Sequence, residues 1–247
     1  LKPVADAGST EVIATLGGQT VKAAVEVKNG TKDRAISFRL DCMPVFMRGG
    51  CNQGGCHGAA RGKDGFRTSL FGMDPAGDYI RITREMPGRR INLAIPEESS
   101  LVEKAVGAVP HSGNQCFEPD SVYNKALLEW ISAGAPDDAA DVAKVTGIEV
   151  FPSQIVMEGK NATQQITVRA TYSDGTDRDV TKLAVFFSNN DTAAKVGKPV
   201  ALMAETPAAC MAGKLLAIMP IFVPSLAATC CRPGPATYKE GDPHDNT

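Results

Sequence analysis

Apolar and polar residues alternate in the first part of the chain. Residues 11–15 and 20–27 form two alternating runs rich in β-branched side chains, and Gly17-Gly18 lies between them. Two such runs around a Gly-Gly turn predict a β-hairpin. Because a lone hairpin is not stable in water, we expect residues 1–35 to be the last piece of a truncated β-sandwich. A bare N-terminal extension is the alternative interpretation.

A second pattern begins near residue 36 and predicts short helices. Asp41 can cap a helix, Pro44 suits its first turn, and Gly49-Gly50 end it. The clearest helix opens at Asp120 and ends at residues 133–136, where a glycine cap precedes a proline. Its apolar positions recur at helical spacing: Val122, Tyr123, Ala126, Leu127, Trp130 and Ile131.

Alternation returns after residue 143 and predicts strands at 148–152 and 164–172, followed by an Asp174-Gly175 turn. The pattern fails from about residue 198. An apolar run from Leu215 to Cys231 is interrupted by two prolines and is barely long enough for a bilayer, so we predict no membrane span. We interpret residues 198–247 as an aberrant or disordered tail, such as an out-of-frame reading would produce.

The residues that could bind a cofactor or a metal are concentrated between the helix that ends at Gly49-Gly50 and the helix that opens at Asp120. Cys51 and Cys56 have four residues between them, and His57 follows directly. A c-type haem needs this order, because two thiols add to the porphyrin vinyl groups and the next imidazole reaches the iron. The ordinary motif has two intervening residues, so the longer spacing is less specific. Gly54 and Gly55 let the backbone approach a flat macrocycle. The motif alone leaves haem, zinc and plain structural cysteines open.

Composition narrows the class of protein. The 247 residues suit two or three modules, and a net charge of -2 gives no electrostatic case for nucleic acid or an anionic membrane as partner. Covalent haem would imply an extracytoplasmic compartment. The chain begins at Leu1 without a targeting signal, and we expect it to be a fragment. Its seven cysteines are many for a cytosolic protein: Cys42, Cys51, Cys56, Cys116, Cys210, Cys230 and Cys231.

The segment from Ser37 to about Asp138 resembles the planctomycete-type cytochrome c domain of large extracytoplasmic bacterial proteins. The matching residues are Asp41, Met43-Pro44, Gly50-Cys51-Asn52, Cys56-His57-Gly58, Gly65-Phe66-Arg67, Ser69-Leu70, Gly88-Arg89-Arg90-Ile91-Asn92, Val109-Pro110-His111 and residues 128–136. The resemblance implies covalent haem c at Cys51 and Cys56, with His57 as the proximal iron ligand. It also implies that the helix containing Trp130 completes the haem crevice and that Phe66 packs against the haem edge.

The second axial ligand is the position at which this sequence departs from the family. Many relatives have Met-Pro before the last helix, where this chain reads Val109-Pro110-His111. We therefore predict ligation by His57 and His111, with a lower reduction potential than a His/Met pair. Met73 and Met86 are the alternatives, and a surface role for His111 would leave the iron five-coordinate.

Several residues near the motif keep more than one interpretation. Cys42 and Cys116 are unexpected in this family and are either free or paired. A zinc site would use Cys51, Cys56 and His57 with His111, Cys116 or Cys42. Four arginines are candidates for haem propionates, although a solvated face is the commoner role for such residues: Arg81, Arg84, Arg89 and Arg90.

Residues 146–197 resemble the start of a bacterial Ig-like domain of the second group, through the strands, the Asp-Gly turn and Ser188-Asn189-Asn190-Asp191. Such modules are antiparallel sandwiches that act mostly as spacers or adhesive domains. Asp174, Asp177 and Asp179 suggest calcium, but turn aspartates are the commoner explanation.

Together these patterns predict a mixed multidomain fold, in which a small, mainly α, cytochrome c-like domain (36–140) is flanked by β-sandwich segments. We expect a periplasmic or otherwise extracytoplasmic module for one-electron transfer between redox proteins. No catalytic constellation is visible, so the sequence favours an electron carrier over an enzyme. The alternative is a zinc-binding or haem-free structural or adhesion module.

Overall fold

A computed structural model describes residues 5–28, 30–31, 34–86, 88–157, 159–188, 190, 192 and 194–197. Beyond these it describes the strand segments 201–204, 214–218 and 226–229. The chain divides into two compact units, Leu1–Ile36 and Ser37–Thr247.

The first unit contains the predicted hairpin, which is confirmed. Strands β1 (Ala7–Leu16) and β2 (Gln19–Lys28) pair in antiparallel register from Ala7↔Lys28 to Leu16↔Gln19. Gly17 and Gly18 both have positive φ, as a tight two-residue hairpin loop requires. Most of its side chains are exposed within this unit.

The described residues between 37 and 138 contain four α-helices. They are α1 (Met43–Arg48), α2 (Pro75–Thr83), α3 (Ser100–Ala105) and α4 (Val122–Ser132). A π-helical turn, Phe38–Cys42, leads into α1, and 3₁₀ turns cover Leu70–Gly72 and Pro96–Glu98. The predicted helix near residue 120 is confirmed, with Ser121 as its N-cap in place of Asp120.

Capping at the start of the helical segment is reciprocal. Ser37 Oγ accepts a hydrogen bond from the Leu40 amide at 3.0 Å, and the Asp41 carboxylate accepts one from the Ser37 amide at 2.8 Å. Asp41 therefore caps the π-helical turn that precedes α1, and α1 itself begins without a side-chain cap.

An aromatic cluster holds the helical segment together. Phe38 lies 5.1 Å from Trp130 and 5.4 Å from Tyr79 between ring centroids. Trp130 is fully buried and donates its indole N–H to the Pro136 carbonyl at 2.9 Å. The Tyr79 hydroxyl donates to the Ala135 carbonyl at 3.0 Å, which joins α2 to the end of α4.

The described residues after 144 contain nine further strands. They are β3 (Val145–Phe151), β4 (Thr163–Gln165), β5 (Thr167–Tyr172), β6 (Asp177–Asp179), β7 (Val185–Ser188), β8 (Ala194–Gly197), β9 (Ala201–Ala204), β10 (Lys214–Ile218) and β11 (Leu226–Thr229). They form three antiparallel sheets in the orders β3-β5-β6, β4-β9-β8 and β11-β10-β7.

The predicted fold class is wrong. The helical segment is not a clearly mainly α domain, because its four α-helices have only 6, 9, 6 and 11 residues and turns connect them. Gly50, Gly62, Gly65 and Gly72 adopt positive φ between α1 and α2, and helix formation is interrupted there. The flanking β segments form sheets of two or three strands where two larger sandwich sheets were expected.

The helical segment and the strands after it share a core. Leu40 is buried in the same apolar cluster as Ile148, Val168 and other strand residues. The Arg178 guanidinium pairs with the Asp41 carboxylate at 3.1 Å. The Tyr123 hydroxyl donates to the Lys182 carbonyl at 2.7 Å. These segments are therefore packed together, where the sequence had indicated a module and a spacer.

Three parts of the predicted aberrant tail are strands: β9 pairs with β4 and β8, and β10 pairs with β7 and β11. The rest of that tail, including Cys210, Cys230 and Cys231, lies outside the described residues, and its interpretation stays a prediction. Among the helices that are described, none is long and apolar enough to cross a membrane.

Candidate functional site

The cysteine motif is a compact loop that begins where α1 ends. The Cys51 amide donates to the Phe46 carbonyl at 2.9 Å, which holds the loop against the helix. The His57 amide donates back to the Cys51 carbonyl at 3.0 Å, and the Cys56 amide to the Gln53 carbonyl at 3.0 Å. These bonds close the loop, and Cys51, Cys56 and His57 all line one small pocket.

Gly58 is required by the closure of this loop. A Cβ at this position would collide with the backbone carbonyls of Asn52 and Gln53. The neighbouring residue is also held, since the Thr68 amide donates to the His57 carbonyl at 2.7 Å. Any larger residue after His57 would force the motif to open.

A pocket lies beside the loop, and its volume is about 900 Å³ when the open solvent at its mouth is included. Cys51, His57 and His111 all line it. Much of its wall is apolar and comes from the four α-helices and the segment between α3 and α4: Phe46, Ile82, Leu101, Ala105, Phe117 and Leu127. A smaller pocket of about 280 Å³ shares Cys51, His57 and His111 and adds Cys56.

The two histidines face each other across this region. The ring centroids of His57 and His111 are 6.3 Å apart, and the ring planes differ by 9°. A metal bound to one nitrogen of each imidazole lies about 2 Å from both nitrogens, which puts the ring centres roughly 6 Å apart when the rings lie on opposite sides. The ring centroids therefore have the separation that a shared metal ion requires, and the near-parallel planes are those of stacked rings.

Each histidine has one ring nitrogen bonded to the backbone. His57 Nδ1 lies 3.0 Å from the Phe66 carbonyl, and His111 Nδ1 lies 3.1 Å from the Asn114 carbonyl. A carbonyl accepts only from N–H, so both Nδ1 atoms carry hydrogen and both Nε2 atoms hold a free lone pair when the rings are neutral. Metal-bound histidines in proteins use this arrangement.

Burial favours the neutral form of His57. It lowers the pKa of His57 from 6.5, against the smaller opposing effect of the hydrogen bond to Phe66. The imidazole is consequently uncharged at neutral pH, which is the form that binds metals.

Cys116 lies against the motif, in contact with Cys51. The Cys51 thiol donates to Cys116 Sγ at 4.0 Å, which lowers the pKa of Cys116 to about 7. The same bond and burial raise the pKa of Cys51. Cys42 is fully buried in the core, where burial raises its pKa. All four of these cysteines, Cys56 included, are free thiols.

The arginines divide into two groups. Arg90 and Arg89 line the pocket, whereas Arg81 and Arg84 are absent from its described lining. Arg90 is largely occupied by backbone, because its guanidinium donates to the carbonyls of Arg81 at 2.7 Å and Glu85 at 2.5 Å. It also lies 4.4 Å from the centre of the Phe66 ring. Arg90 is therefore a structural residue of the wall.

The other predicted site residues are divided between the pocket and the rest of the fold. Phe66 lines the pocket, 4.6 Å from the His57 ring centroid. Trp130 lies in the aromatic core and is not among the described lining residues. Met73 and Met86 are 69% and 52% exposed, and the described part of the pocket wall includes neither.

Sequence reasoning missed some residues of this region. Lys63 and Lys104 contribute charge to the pocket, and no pattern marks them as different from surface lysines. Thr68 lines the pocket, is 4% exposed, and has a hydroxyl without a partner among the described residues. Asn52, inside the motif, is fully buried, and its side-chain amide likewise has no partner within the described chain. The contact between Cys116 and Cys51 joins positions 65 residues apart, so spacing could not reveal it.

Other metal sites were tested on the described residues. Within them, no group of three or more His, Cys, Asp or Glu side chains is placed to hold a metal ion. Asp174 and Asp179 each accept hydrogen bonds from the amide and hydroxyl of the threonine two residues later. These bonds are those of turn aspartates, which was the commoner of the two explanations.

A scan against protein-family models and a search of curated proteins both returned no match.

Proposed function

We propose that this chain is a c-type haem-binding module for one-electron transfer in an extracytoplasmic multidomain protein. The proposal rests on the pairing of His57 with His111, at 6.3 Å between centroids and 9° between planes, beside the thiols of the cysteine motif. The resemblance of residues 37–138 to the planctomycete-type cytochrome c domain supports the same function. An electron carrier is favoured over an enzyme.

The residues around the pocket fit such a group. Thr68 presents a buried hydroxyl that lacks a partner in the described chain, as expected for a wall that a ligand completes. The apolar side chains of Phe46, Leu101 and Leu127 suit the faces of a porphyrin. Lys63, Lys104 and Arg89 offer positive charge for carboxylates.

Each residue then has a definite role. Cys51 and Cys56 would hold haem c through thioether bonds, and His57 and His111 would bind the iron through Nε2. The carbonyls of Phe66 and Asn114 accept hydrogen from each Nδ1 and so orient both rings. When bound, haem c supplies a one-electron iron couple. The apolar wall excludes water, and two histidine ligands favour a lower potential than a His/Met pair.

The decisive experiment is a reduced pyridine haemochrome spectrum of the full chain produced with the cytochrome c maturation machinery. We expect a c-type α-band that stays with the denatured polypeptide. The Cys51→Ala/Cys56→Ala double variant should lose covalent haem, while Cys42→Ala, which removes a core thiol, should keep it. A colourless wild type that contains zinc would overturn the proposal in favour of the zinc alternative.

The second axial ligand is tested on the same preparation. His111→Ala should convert low-spin iron to high-spin iron, because one of two strong-field nitrogen ligands is removed. His244→Ala is the matched control, and its spectrum should equal that of the wild type. Low-spin iron in His111→Ala together with high-spin iron in Met73→Ala or Met86→Ala would assign the ligand to a methionine.

A further inference from the structure

Cys116 is not one of the residues proposed to bind haem, yet its thiol contacts Cys51, which is one of them. Its Sγ atom is 4.0 Å from Cys51 Sγ. A disulfide has an S–S distance of about 2 Å, so the two sulfurs must approach by roughly 2 Å more to form a bond. Gly49 lies beside both residues: a Cβ there would be 3.2 Å from Cys51 Sγ and 3.4 Å from Cys116 Cβ.

Both cysteines are anchored through their backbones. The Cys51 amide donates to the Phe46 carbonyl of α1 at 2.9 Å, and the Cys116 amide donates to the Ala105 carbonyl of α3 at 2.8 Å. These bonds fix the two chain segments, and the thiol contact follows from the positions that they give to Cys51 and Cys116.

We propose that Cys51 and Cys116 form a reversible disulfide in the haem-free protein, and that this bond withholds Cys51 from thioether formation. The disulfide itself does not depend on the proposed function. Its consequence for haem attachment does.

The chemistry is thiol–disulfide exchange with an external disulfide, either a small molecule or an oxidoreductase of the extracytoplasmic compartment. Cys116 thiolate attacks one sulfur of that disulfide, the external S–S bond breaks, and one external thiol leaves. Cys51 thiolate then attacks Cys116 Sγ and releases the second external thiol. The two cysteines lose two electrons and two protons in total, and the external disulfide is reduced to two thiols.

The order of attack follows from the environments of the thiols. The hydrogen bond donated by Cys51 lowers the pKa of Cys116 to about 7, whereas the same bond raises the pKa of Cys51. Cys116 therefore has the larger thiolate fraction at neutral pH and reacts first.

The test uses the haem-free full chain, reduced and then equilibrated with glutathione and oxidised glutathione. After acid quenching and alkylation, trypsin releases peptide 49–61, with Cys51 and Cys56, and peptide 105–125, with Cys116. We expect these two peptides to be linked. Since peptide 49–61 holds two cysteines, the link must persist in Cys56→Ser and vanish in Cys51→Ser. Cys42, in peptide 40–48, should stay unlinked.

Three results would overturn the disulfide: no link in the wild type at any glutathione ratio, a link kept in Cys51→Ser and lost in Cys56→Ser, or a dominant bond within peptide 49–61. Each is read by mass alone and requires no haem. Failure of the proposed function, seen as a colourless protein after maturation, would leave this readout unchanged.

The consequence for attachment is tested with pre-reduced haem. Oxidised apoprotein should form no thioether at Cys51 until a thiol reductant is added, although Cys56 stays free to react, and Cys116→Ser should form the Cys51 thioether without that addition. In the matured protein Cys116 should be a free, alkylatable thiol. Equal attachment by the oxidised and reduced wild type would contradict the withholding of Cys51.

Discussion

His57 combines three local features that its position after a cysteine does not by itself require. Its Nδ1 is bonded to the Phe66 carbonyl at 3.0 Å, its ring packs on Phe66, and Gly58 leaves room for the loop to close behind it. The ring is thus held in one orientation and one tautomer before any ligand binds.

A pH dependence of stability follows from the environment of His57. Its folded-state pKa is lowered from 6.5 by burial, so the unfolded chain binds the proton more tightly. This contribution to stability is fully present above about pH 6.5 and is lost as the pH falls through the lowered folded-state value. Urea unfolding of the haem-free protein at pH 7.5 and 5.5 should show a larger loss for the wild type than for His57→Gln. Equal losses would contradict the prediction.

Helix α2 is an element that the sequence analysis did not predict. Asp74 accepts from the Gly77 amide at 3.0 Å, and Pro75 occupies the first position, so a helix-start signal was present. Asp78, one turn later, is fully buried and accepts from the Ser69 amide at 2.6 Å and from Arg81 at 2.8 Å. This carboxylate fastens the loop from the cysteine motif to α2.

Asp78→Asn should lower the free energy of unfolding by about 2–4 kcal/mol, because it leaves buried donors without their charged acceptor. Asp74→Asn is the matched control, since Asp74 pairs with the same Arg81 at 3.2 Å but is exposed, and asparagine also caps helices. Asp74→Asn should lower the free energy of unfolding by less than about 1 kcal/mol. Chemical denaturation of both variants measures the difference, and equal costs would show that burial of Asp78 is unimportant.

At the scale of the second unit, the helical segment and the strands after it are packed on one another. Leu40 shares the core of β3 and β5, and Arg178 reaches Asp41 at 3.1 Å. The strands therefore support the start of the helical segment that leads into the cysteine loop.

Leu40→Ala should lower the free energy of unfolding by about 2–5 kcal/mol, and it should destabilise the helical segment and the strands together. Leu93→Ala, at a 59% exposed leucine, is the control and should cost less than about 1 kcal/mol. Hydrogen exchange should show amides of β5 and α4 losing protection to a similar extent in Leu40→Ala. Loss confined to one segment would mean that the two fold independently.

Local signals were sufficient for the elements that depend on neighbouring residues. The hairpin around Gly17-Gly18 and the last helix were predictable, because turn glycines and caps act over a few positions. The fold class was not. Capped helices and alternating strands reveal neither how short the helices between glycines remain nor how many strands join each sheet.

Long-range contacts of the site were decided by tertiary structure. The sequence offered His111 as a partner for His57, but only packing sets the 6.3 Å between their rings. Cys116 was an unexplained cysteine in the sequence, and only the folded chain places it against Cys51. Trp130 belongs to the core because Phe38 and Tyr79 pack against it. Residue type and spacing determine which side chains have the chemistry to bind haem or form a disulfide. Which of them meet depends on burial and backbone hydrogen bonds between distant segments, and a linear pattern carries no record of these.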